Sequence, residues 1–334
     1  MATSDFKLPS DEPEQLMVKS QDTTNPSYGC KPDERSITDL LQYGVINLDK
    51  PSGPTSHEVV SWVRKIIGIP NAGHGGTLDP KVTGVLPCAL GRATRALSAL
   101  LNAGKEYVGI LTLHSPENLK RIEKVFKLFT GKIYQRPPIK SSVARRLRIR
   151  EIYYTQVIEM NNNYILFRIG CEAGTYIRKF CFDIGEALCS GAHMLELRRT
   201  RVGNFTEKDN LATLQNLKDA FTIYQSEDNP YYLRKIILPM EKMTTHLPKI
   251  FIRDTAVDAI CHGADLASAG ICYIDARIKP NMLIALMTLK NELIGFGTSL
   301  KDAMQIYKAK SGILVKTNKV FMERGVYPRW DEKK

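Results

Sequence analysis

The glycine-rich segment GHGGTLDPKVTG, residues 73–84, surrounds a single carboxylate, Asp79, with a histidine and a lysine nearby. Asp-Pro and Gly-Gly pairs are common in turns, so the segment can be a surface turn. Loops also carry many binding and catalytic groups. The four glycines predict a flexible backbone that can approach a ligand closely. On this segment alone, a turn and a reactive site both stay open.

A second unusual feature is a pair of cations at the start of a predicted helix. The segment YILFRIGCEAGTYIRKFCFDIGEALCSG predicts a strand, a turn and a helix. Arg178 and Lys179 fall in the first helical turn, where the helix dipole disfavours positive charge. They are either solvated surface cations or partners of an anion. The apolar stripe of this helix consists of Ile177, Phe180, Cys181, Ile184 and Leu188.

Several kinds of chemistry are disfavoured by the residue types and their spacing. The six histidines show no metal-ligand spacing, and the seven cysteines form no C-x-x-C pair and indicate a reducing compartment. No phosphate-binding P-loop or dinucleotide-binding glycine pattern is present. What remains is a carboxylate with a nearby histidine, a cation and a tyrosine. That set suits attack at a ribose carbon, or proton removal from it, without a cofactor.

The charge distribution points to a polyanionic partner. The chain has 47 basic and 35 acidic residues, a net charge of +12. Residues 1–43 carry four basic and eight acidic side chains (net −4), so residues 44–334 carry +16. Nucleic acid is the commonest partner of so basic a body. An anionic membrane is the alternative, but neither a basic amphipathic helix nor a lipidation motif is evident.

Two basic tracts, KSSVARRLRIR (140–150) and ELRRTRVG (196–203), stand out. Basic runs are usually solvated faces. In the first tract the basic residues alternate with Val143, Leu147 and Ile149. This instead favours a strand with one cationic side that lies along the phosphates of a nucleic acid. The candidate RNA-binding residues are Lys140, Arg145, Arg146, Arg148, Arg150, Arg198 and Arg199.

The rest of the pattern predicts the elements that would position these groups. The segment VINL predicts a buried strand, and KEYVGILTL predicts another. Thr55 and Glu58 predict a capping box at the start of a helix. After residue 246, short strands with tight turns indicate a small β-barrel-like module, in which Asp254 caps a short helix. No apolar run approaches the roughly 20 residues that span a bilayer, and the N-terminus lacks signal-peptide features.

Five segments resemble, in order, the signature segments of the TruB family of pseudouridine synthases. They are GVINLDKPSGPTSHEVV, GHGGTLDPKVTGVL followed by GRATR, GKEYV, CEAGTYIRKFCFDIG and HMLELRRTRVG. KIYQRPPIKSSVARRLRIR and VFMERGVYPRW are most similar to the dyskerin branch of that family. The resemblance covers residues 44 to about 330, and the last 75 or so residues are similar to an RNA-binding PUA domain.

The resemblance implies an α+β fold, with a mixed-sheet pseudouridine synthase catalytic domain followed by a small β-barrel PUA domain. It implies an N-terminal extension (1–43) that packs on the PUA domain. The catalytic domain would span 44–246, the PUA domain 247–322 and a tail 323–334.

The resemblance also implies a role for each candidate site residue. Asp79 would start the breakage of the uridine glycosidic bond, Tyr107 would stack on the flipped base and act as general base, and Arg178 would pair with Asp79. The substrate site would be lined by Lys50, His74, Tyr176 and Leu197. No cofactor or metal is implied.

The function implied is RNA-guided conversion of uridine to pseudouridine in rRNA and other non-coding RNA, as the catalytic subunit of an H/ACA ribonucleoprotein. The implied partners are guide RNA, substrate RNA and small protein subunits, with no membrane. A nucleolar location is expected, with the cytoplasm of an archaeon as the alternative. A stand-alone tRNA enzyme and a non-catalytic guide-RNA scaffold remain alternative functions.

Overall fold

The apolar segments form two β-sheets and the helices that cover them. The structure is a computed structural model, and it describes residues 6–137, 144 and 146–329. Within these residues the α-helices are α1 (Ile37–Tyr43), α2 (Ser56–Ile67), α3 (Ser98–Leu101), α4 (Leu119–Leu128), α5 (Ile177–Leu188), α6 (Leu214–Glu227), α7 (Tyr231–Ile236), α8 (Asp254–Cys261) and α9 (Ala303–Lys308). The strands of the same residues are β1 (Leu16–Val18), β2 (Gly44–Lys50), β3 (Ala72–His74), β4 (Thr83–Leu90), β5 (Lys105–Leu113), β6 (Gly131–Gln135), β7 (Arg148–Asn161), β8 (Tyr164–Cys171), β9 (Ala192–Val202), β10 (Phe205–Thr206), β11 (Ile237–Pro239), β12 (Lys249–Ile252), β13 (Leu266–Ala267), β14 (Ile271–Asp275), β15 (Leu283–Thr288), β16 (Leu293–Ser299) and β17 (Ile313–Val320).

The larger sheet has the strand order β11-β2-β4-β9-β5-β8-β7-β6, with β3 beside β4 and β10 beside β9. Strands β4 and β9 are parallel, whereas β9 and β5 are antiparallel, so this sheet is mixed as predicted. The parallel pair lies at the centre and brings the end of the glycine-rich segment against the ELRRTRVG tract.

The second sheet has the order β1-β14-β12-β15-β16-β17-β13. Its first strand, β1, belongs to the N-terminal segment and pairs antiparallel with β14. An apolar cluster joins the two sheets, because it includes Phe205 and Met243 from the first part of the chain and Phe251 and Phe296 from the second. The two parts therefore share buried apolar surface.

The structure confirms predicted local features that depend on residues close together in the chain. The capping box forms as predicted, with the Glu58 main-chain N–H donating to the Thr55 hydroxyl, and α2 ends at Gly68 in the left-handed conformation. The predicted apolar stripe of α5 is buried against β5 and β8. The prediction for Asp254 is wrong: its carboxylate does not cap α8 but accepts hydrogen bonds from Thr24 and Asn25 of the N-terminal segment.

Candidate active site

The loop that carries Asp79 is held on both sides of that residue. The main-chain N–H of Leu78 donates to the buried Ser56 hydroxyl at the start of α2, at 2.9 Å. The carbonyl of Pro80 accepts from the main-chain N–H of Gly53 at 3.0 Å. Hydrogen bonds therefore hold the residues on either side of the carboxylate, and the flexibility of the loop stays a prediction.

Lys50 is a further buried support of the loop, with 0% of the residue exposed. Its ammonium donates to the carbonyls of Pro51, Pro80 and Val82 at 2.8–2.9 Å. Burial lowers the pKa of Lys50, and the positive charge of Arg199 lowers it further. The expectation that Lys50 lines the substrate site is corrected, because its side chain is buried and its ammonium points at main-chain carbonyls.

Arg199 supports the other end of the same loop. It is 1% exposed, and its guanidinium donates to the carbonyls of Val85 at 2.8 Å and Gly76 at 3.0 Å. The prediction of an RNA-facing side chain is corrected for Arg199, since its guanidinium is directed into the protein. The close pass of β9 requires glycine at position 84, where φ is +101° and a Cβ would overlap the main-chain oxygen of Arg199.

Arg178 and Asp79 form an ion pair across the open side of the loop. Arg178 lies in the first turn of α5, so the carboxylate offsets the unfavourable dipole at that position. Both side chains are about half exposed, 51% for Arg178 and 54% for Asp79. The pair is therefore accessible to a large ligand.

The start of α5 is fixed by a residue outside the predicted site. Gln135, 2% exposed at the end of β6, accepts from the main-chain N–H of Tyr176 at 2.9 Å and donates to its carbonyl at 3.2 Å. Tyr176 is the N-cap of α5. Gln135 thus sets the position of Arg178 two residues later.

Tyr107 lies on β5 directly opposite Arg199 of β9. Burial raises the pKa of the Tyr107 phenol, and the Arg199 guanidinium acts in the opposite direction. Two residues along, Gly109 lies opposite Leu197, and a Cβ at Gly109 would come within 2.8 Å of the Leu197 side chain. Tyr107, Arg199 and Leu197 therefore share one face of the sheet.

His74 ends β3 just before the loop. Its Nδ1 accepts from the main-chain N–H of Gly76 at 3.3 Å, and its ring centroid is 5.0 Å from that of His57. Burial, with smaller contributions from His57 and Arg199, lowers the pKa of His74 to about 4. The ring is therefore neutral at pH 7, and within the described residues its Nε2 has no hydrogen-bond partner.

Lys105, the lysine of the GKEYV segment, is a second buried lysine and was not among the predicted site residues. It is 5% exposed, and its ammonium donates to the carbonyls of Leu100, Leu101 and Ala103 at 2.7–3.0 Å. Burial and then the charge of Arg199 lower the pKa of Lys105 to about 7. It joins the end of α3 to β5, two residues before Tyr107.

Arg198, another predicted RNA-binding residue, differs from the buried Arg199 in its exposure and in its partners. Arg198 is partly exposed, but it binds Asp49 through two hydrogen bonds of 3.0 Å and Glu207 through one of 2.5 Å. Its charge is therefore compensated within the protein. Arg198 stays a predicted RNA-binding residue, with two carboxylates as its partners in the protein.

The first basic tract is only partly described. Lys140 and Arg145 lie outside the described residues. Arg146 is exposed, and Arg148 and Arg150 are partly exposed at the start of β7. These three side chains remain candidates for contact with a polyanion.

In the described ranges, no group of three or more His, Cys, Asp or Glu side chains could hold a metal ion. No helix in the same ranges is long and apolar enough to cross a membrane.

Four family models match successive parts of the chain. The N-terminal domain of the TruB family pseudouridylate synthases matches residues 64–177, and the C-terminal domain of tRNA pseudouridylate synthase B matches 178–245. The DKCLD domain matches residues 3–60, and the PUA domain matches 248–321.

Relatives with similar sequences extend over nearly the whole chain. The probable tRNA pseudouridine synthase B of Methanopyrus kandleri is 52% identical over 325 residues, 97% of this chain and 96% of its own. The protein of that name from Methanothermobacter thermautotrophicus is 54% identical, covering 92% of this chain and 94% of its own.

Solved structures agree with this relationship. A chain in a Cbf5-Nop10-Gar1 complex superposes with a TM-score of 0.94 at 50% identity, covering 97% of this chain and 98% of that chain. A chain in an H/ACA ribonucleoprotein bound to a substrate RNA containing 2′-deoxyuridine gives 0.92 at 48% identity, covering 97% of this chain and all of that chain. The present chain therefore belongs to the TruB family of pseudouridine synthases, in the dyskerin branch that contains Cbf5.

Proposed function

We propose that this enzyme converts uridine to pseudouridine at positions selected by a guide RNA, as the catalytic subunit of an H/ACA ribonucleoprotein. The observation that carries the proposal is the likeness, over 97% of this chain and all of the other, to a chain of an H/ACA ribonucleoprotein bound to a substrate RNA. The accessible Asp79–Arg178 pair supports it, because the target nucleotide must leave its stack to reach a reactive group.

In the proposed reaction, Asp79 acts on the ribose as a nucleophile or as a base, and the bond from C1′ to N1 of uracil breaks. The base rotates, and a new bond joins C1′ to C5. N1 gains a proton and C5 loses one, so the product is an isomer of the substrate. Tyr107 stacks on the base and takes the proton from C5, while Arg178 orients the Asp79 carboxylate.

His74, Tyr176 and Leu197 are proposed to surround the extruded nucleotide. The Nε2 of His74 is buried and has no hydrogen-bond partner among the described residues, so it would reach the nucleotide only after a local shift of the ring. Leu197 lies beside Tyr107 on one face of the sheet. Arg146, Arg148 and Arg150 are proposed to contact phosphates, which would make RNA affinity dependent on salt. Lys50 and Arg199 act on the reaction through the loop that they support.

The partners proposed are a guide RNA, a substrate RNA and small protein subunits. The Cbf5 chain of the similar structure is in complex with Nop10 and Gar1, which supports proteins of that kind as partners here. The sequence relatives described above come from archaea. This supports the cytoplasm of an archaeon as the location, and the relatives do not support the nucleolus.

A second candidate function is modification of tRNA without a guide. The relatives named probable tRNA pseudouridine synthase B favour this alternative. The two functions require the same chemistry at Asp79 and differ only in how the target uridine is selected.

The test is tritium release from RNA labelled at C5 of uridine, because the proposed reaction removes that hydrogen. The full chain, combined with Nop10-like and Gar1-like subunits, is given a short target RNA with its guide, the target with a scrambled guide, or a tRNA transcript alone. Release that requires the matching guide is expected.

Equal release from the target with either guide would contradict guided selection. Release from tRNA alone with none from the guided target would support the tRNA enzyme. Guide-RNA binding with no release from any substrate would identify a non-catalytic scaffold.

A further inference from the structure

A one-residue bulge interrupts the pairing of β5 and β9 directly beside Tyr107. Glu106 lies opposite Arg201. The next residue, Tyr107, lies opposite Arg199, so Thr200 is the extra residue on β9. Regular pairing would place Thr200 opposite Tyr107. Since opposite residues of antiparallel strands point to the same face, the bulge is what puts Tyr107 and Arg199 side by side.

Hydrogen bonds to one carboxylate hold the extra residue in place. The Thr200 hydroxyl donates to Oε1 of Glu106 at 2.7 Å, and the Tyr154 hydroxyl donates to Oε2 at 2.6 Å. Tyr154 is 6% exposed, and the Glu106 side chain is 18% exposed. Bonds from hydroxyls to a carboxylate at these distances are charge-assisted and stronger than bonds between neutral groups.

A glycine allows Tyr154 to reach Glu106 across an intervening strand. The strand order is β9-β5-β8-β7, so the Tyr154 ring on β7 must cross β8. Gly170 of β8 lies opposite both Glu106 and Tyr154, and a Cβ there would overlap the tyrosine ring. The hydrogen-bond network thus spans four strands, from Thr200 to Tyr154.

The N-terminal segment covers this network. The centroid of the Phe6 ring lies 5.2 Å from that of the Tyr154 ring. Arg201, opposite Glu106, donates to Asp11 at 2.9 Å. The network is therefore partly shielded from water, which strengthens its hydrogen bonds.

We propose that Glu106, together with Thr200 and Tyr154, is a positioning group for the pseudouridine synthase reaction. It holds the bulge that brings Tyr107 beside Arg199, and so it sets where the phenol meets the base. Glu106 itself has no contact with substrate in this scheme. The proposal rests on the function proposed above for Tyr107.

The test compares three variants in the tritium-release assay with guide RNA. Thr200→Val removes the hydroxyl that binds Glu106 but keeps the shape, whereas Thr200→Ser keeps the hydroxyl. Thr155→Val is the matched control, because the Thr155 hydroxyl donates to the Phe126 carbonyl at 3.1 Å on the same sheet, away from the bulge. Thermal unfolding and RNA affinity are measured for each.

Thr200→Val is expected to lower kcat by roughly 10- to 100-fold with little change in KM, since small misplacements of reacting groups have effects of that size. Thr200→Ser should restore most of the rate, and Thr155→Val should keep it. Equal kcat for Thr200→Val and Thr155→Val, or no rescue by Thr200→Ser, would overturn the proposal.

Tyr154→Phe provides a second route if Thr200→Val does not fold. It removes the other hydroxyl from Glu106 and should lower kcat in the same way, whereas an unchanged kcat in the folded variant would overturn the proposal. The activity of the wild-type chain shows which of the two proposals a negative result contradicts. A wild type without guided release contradicts that function, whereas an active wild type with unaffected variants contradicts only the positioning role.

Discussion

Arg178 in the first turn of α5 holds Asp79 by an ion pair that joins residues 99 positions apart in the chain. Because both side chains are about half exposed, such a pair contributes only about 0–1 kcal/mol to stability. The main chain beside Asp79 is already fixed by Ser56 and Lys50. The pair therefore matters mainly for the direction of the Asp79 carboxylate.

Replacing Arg178 should separate activity from stability. Arg178→Ala is expected to lower guided tritium release roughly 100-fold or more, because the carboxylate loses its orienting partner. The melting temperature should hardly change. Arg121→Ala is the matched control, since the half-exposed Arg121 of α4 pairs with Glu117, just before that helix, at 2.6 Å. Activity of Arg178→Ala within a few-fold of the wild type would contradict a role in orienting Asp79.

Replacing Lys50, unlike replacing Arg178, should lower the stability of the protein. Lys50→Met keeps the length of the side chain but leaves three carbonyls without their donor, and we expect a loss of about 3 kcal/mol in the free energy of unfolding. Urea denaturation measures this loss, and the exposed lysine variant Lys65→Met is the control. A stable Lys50→Met protein would mean that the loop carbonyls find other partners.

Short-range features of the fold could be predicted from the sequence. The capping box at Thr55 depends on residues three positions apart, and the apolar stripe of α5 follows from helical spacing. The family motifs selected Asp79 and Arg178, which the structure places in contact.

The buried cations could not be predicted in the same way. Lys50, Lys105 and Arg199 are charged, and lysine and arginine are rarely fully buried unless they are paired. Their partners here are main-chain carbonyls, which every residue possesses, so the sequence carries no signal of the pairing. Lys50 and Arg199 donate to carbonyls of the glycine-rich loop, so these supports of the loop could not be predicted either.

The stability of the protein should depend on pH through His246. Its Nε2 donates to the Ala99 carbonyl at 3.0 Å, and burial lowers the pKa of His246 to about 4, against an ordinary value of 6.5. Between these pH values the unfolded chain binds more protons than the folded protein. The free energy of unfolding should therefore decrease as the pH falls from about 6.5 to about 4.

Urea denaturation of the wild type and His246→Gln over this pH range measures the contribution of His246. The variant should lose part of the acid sensitivity, and His74, with the same direction of pKa shift, should supply a remaining part. Identical pH profiles for the two proteins would show that His246 does not titrate in this way.

Asp79→Asn distinguishes a catalytic loop from a structural turn. Asparagine keeps the size of the side chain and suits turns equally well, but it removes the negative charge and the reactive oxygen. If Asp79 acts on ribose, tritium release should fall by roughly 10³-fold or more, as expected when a nucleophile or base is lost. RNA affinity should change little, because contacts to phosphate supply most of it. Near-normal release would contradict the catalytic role, and loss of RNA binding together with activity would instead indicate that Asp79 maintains the loop.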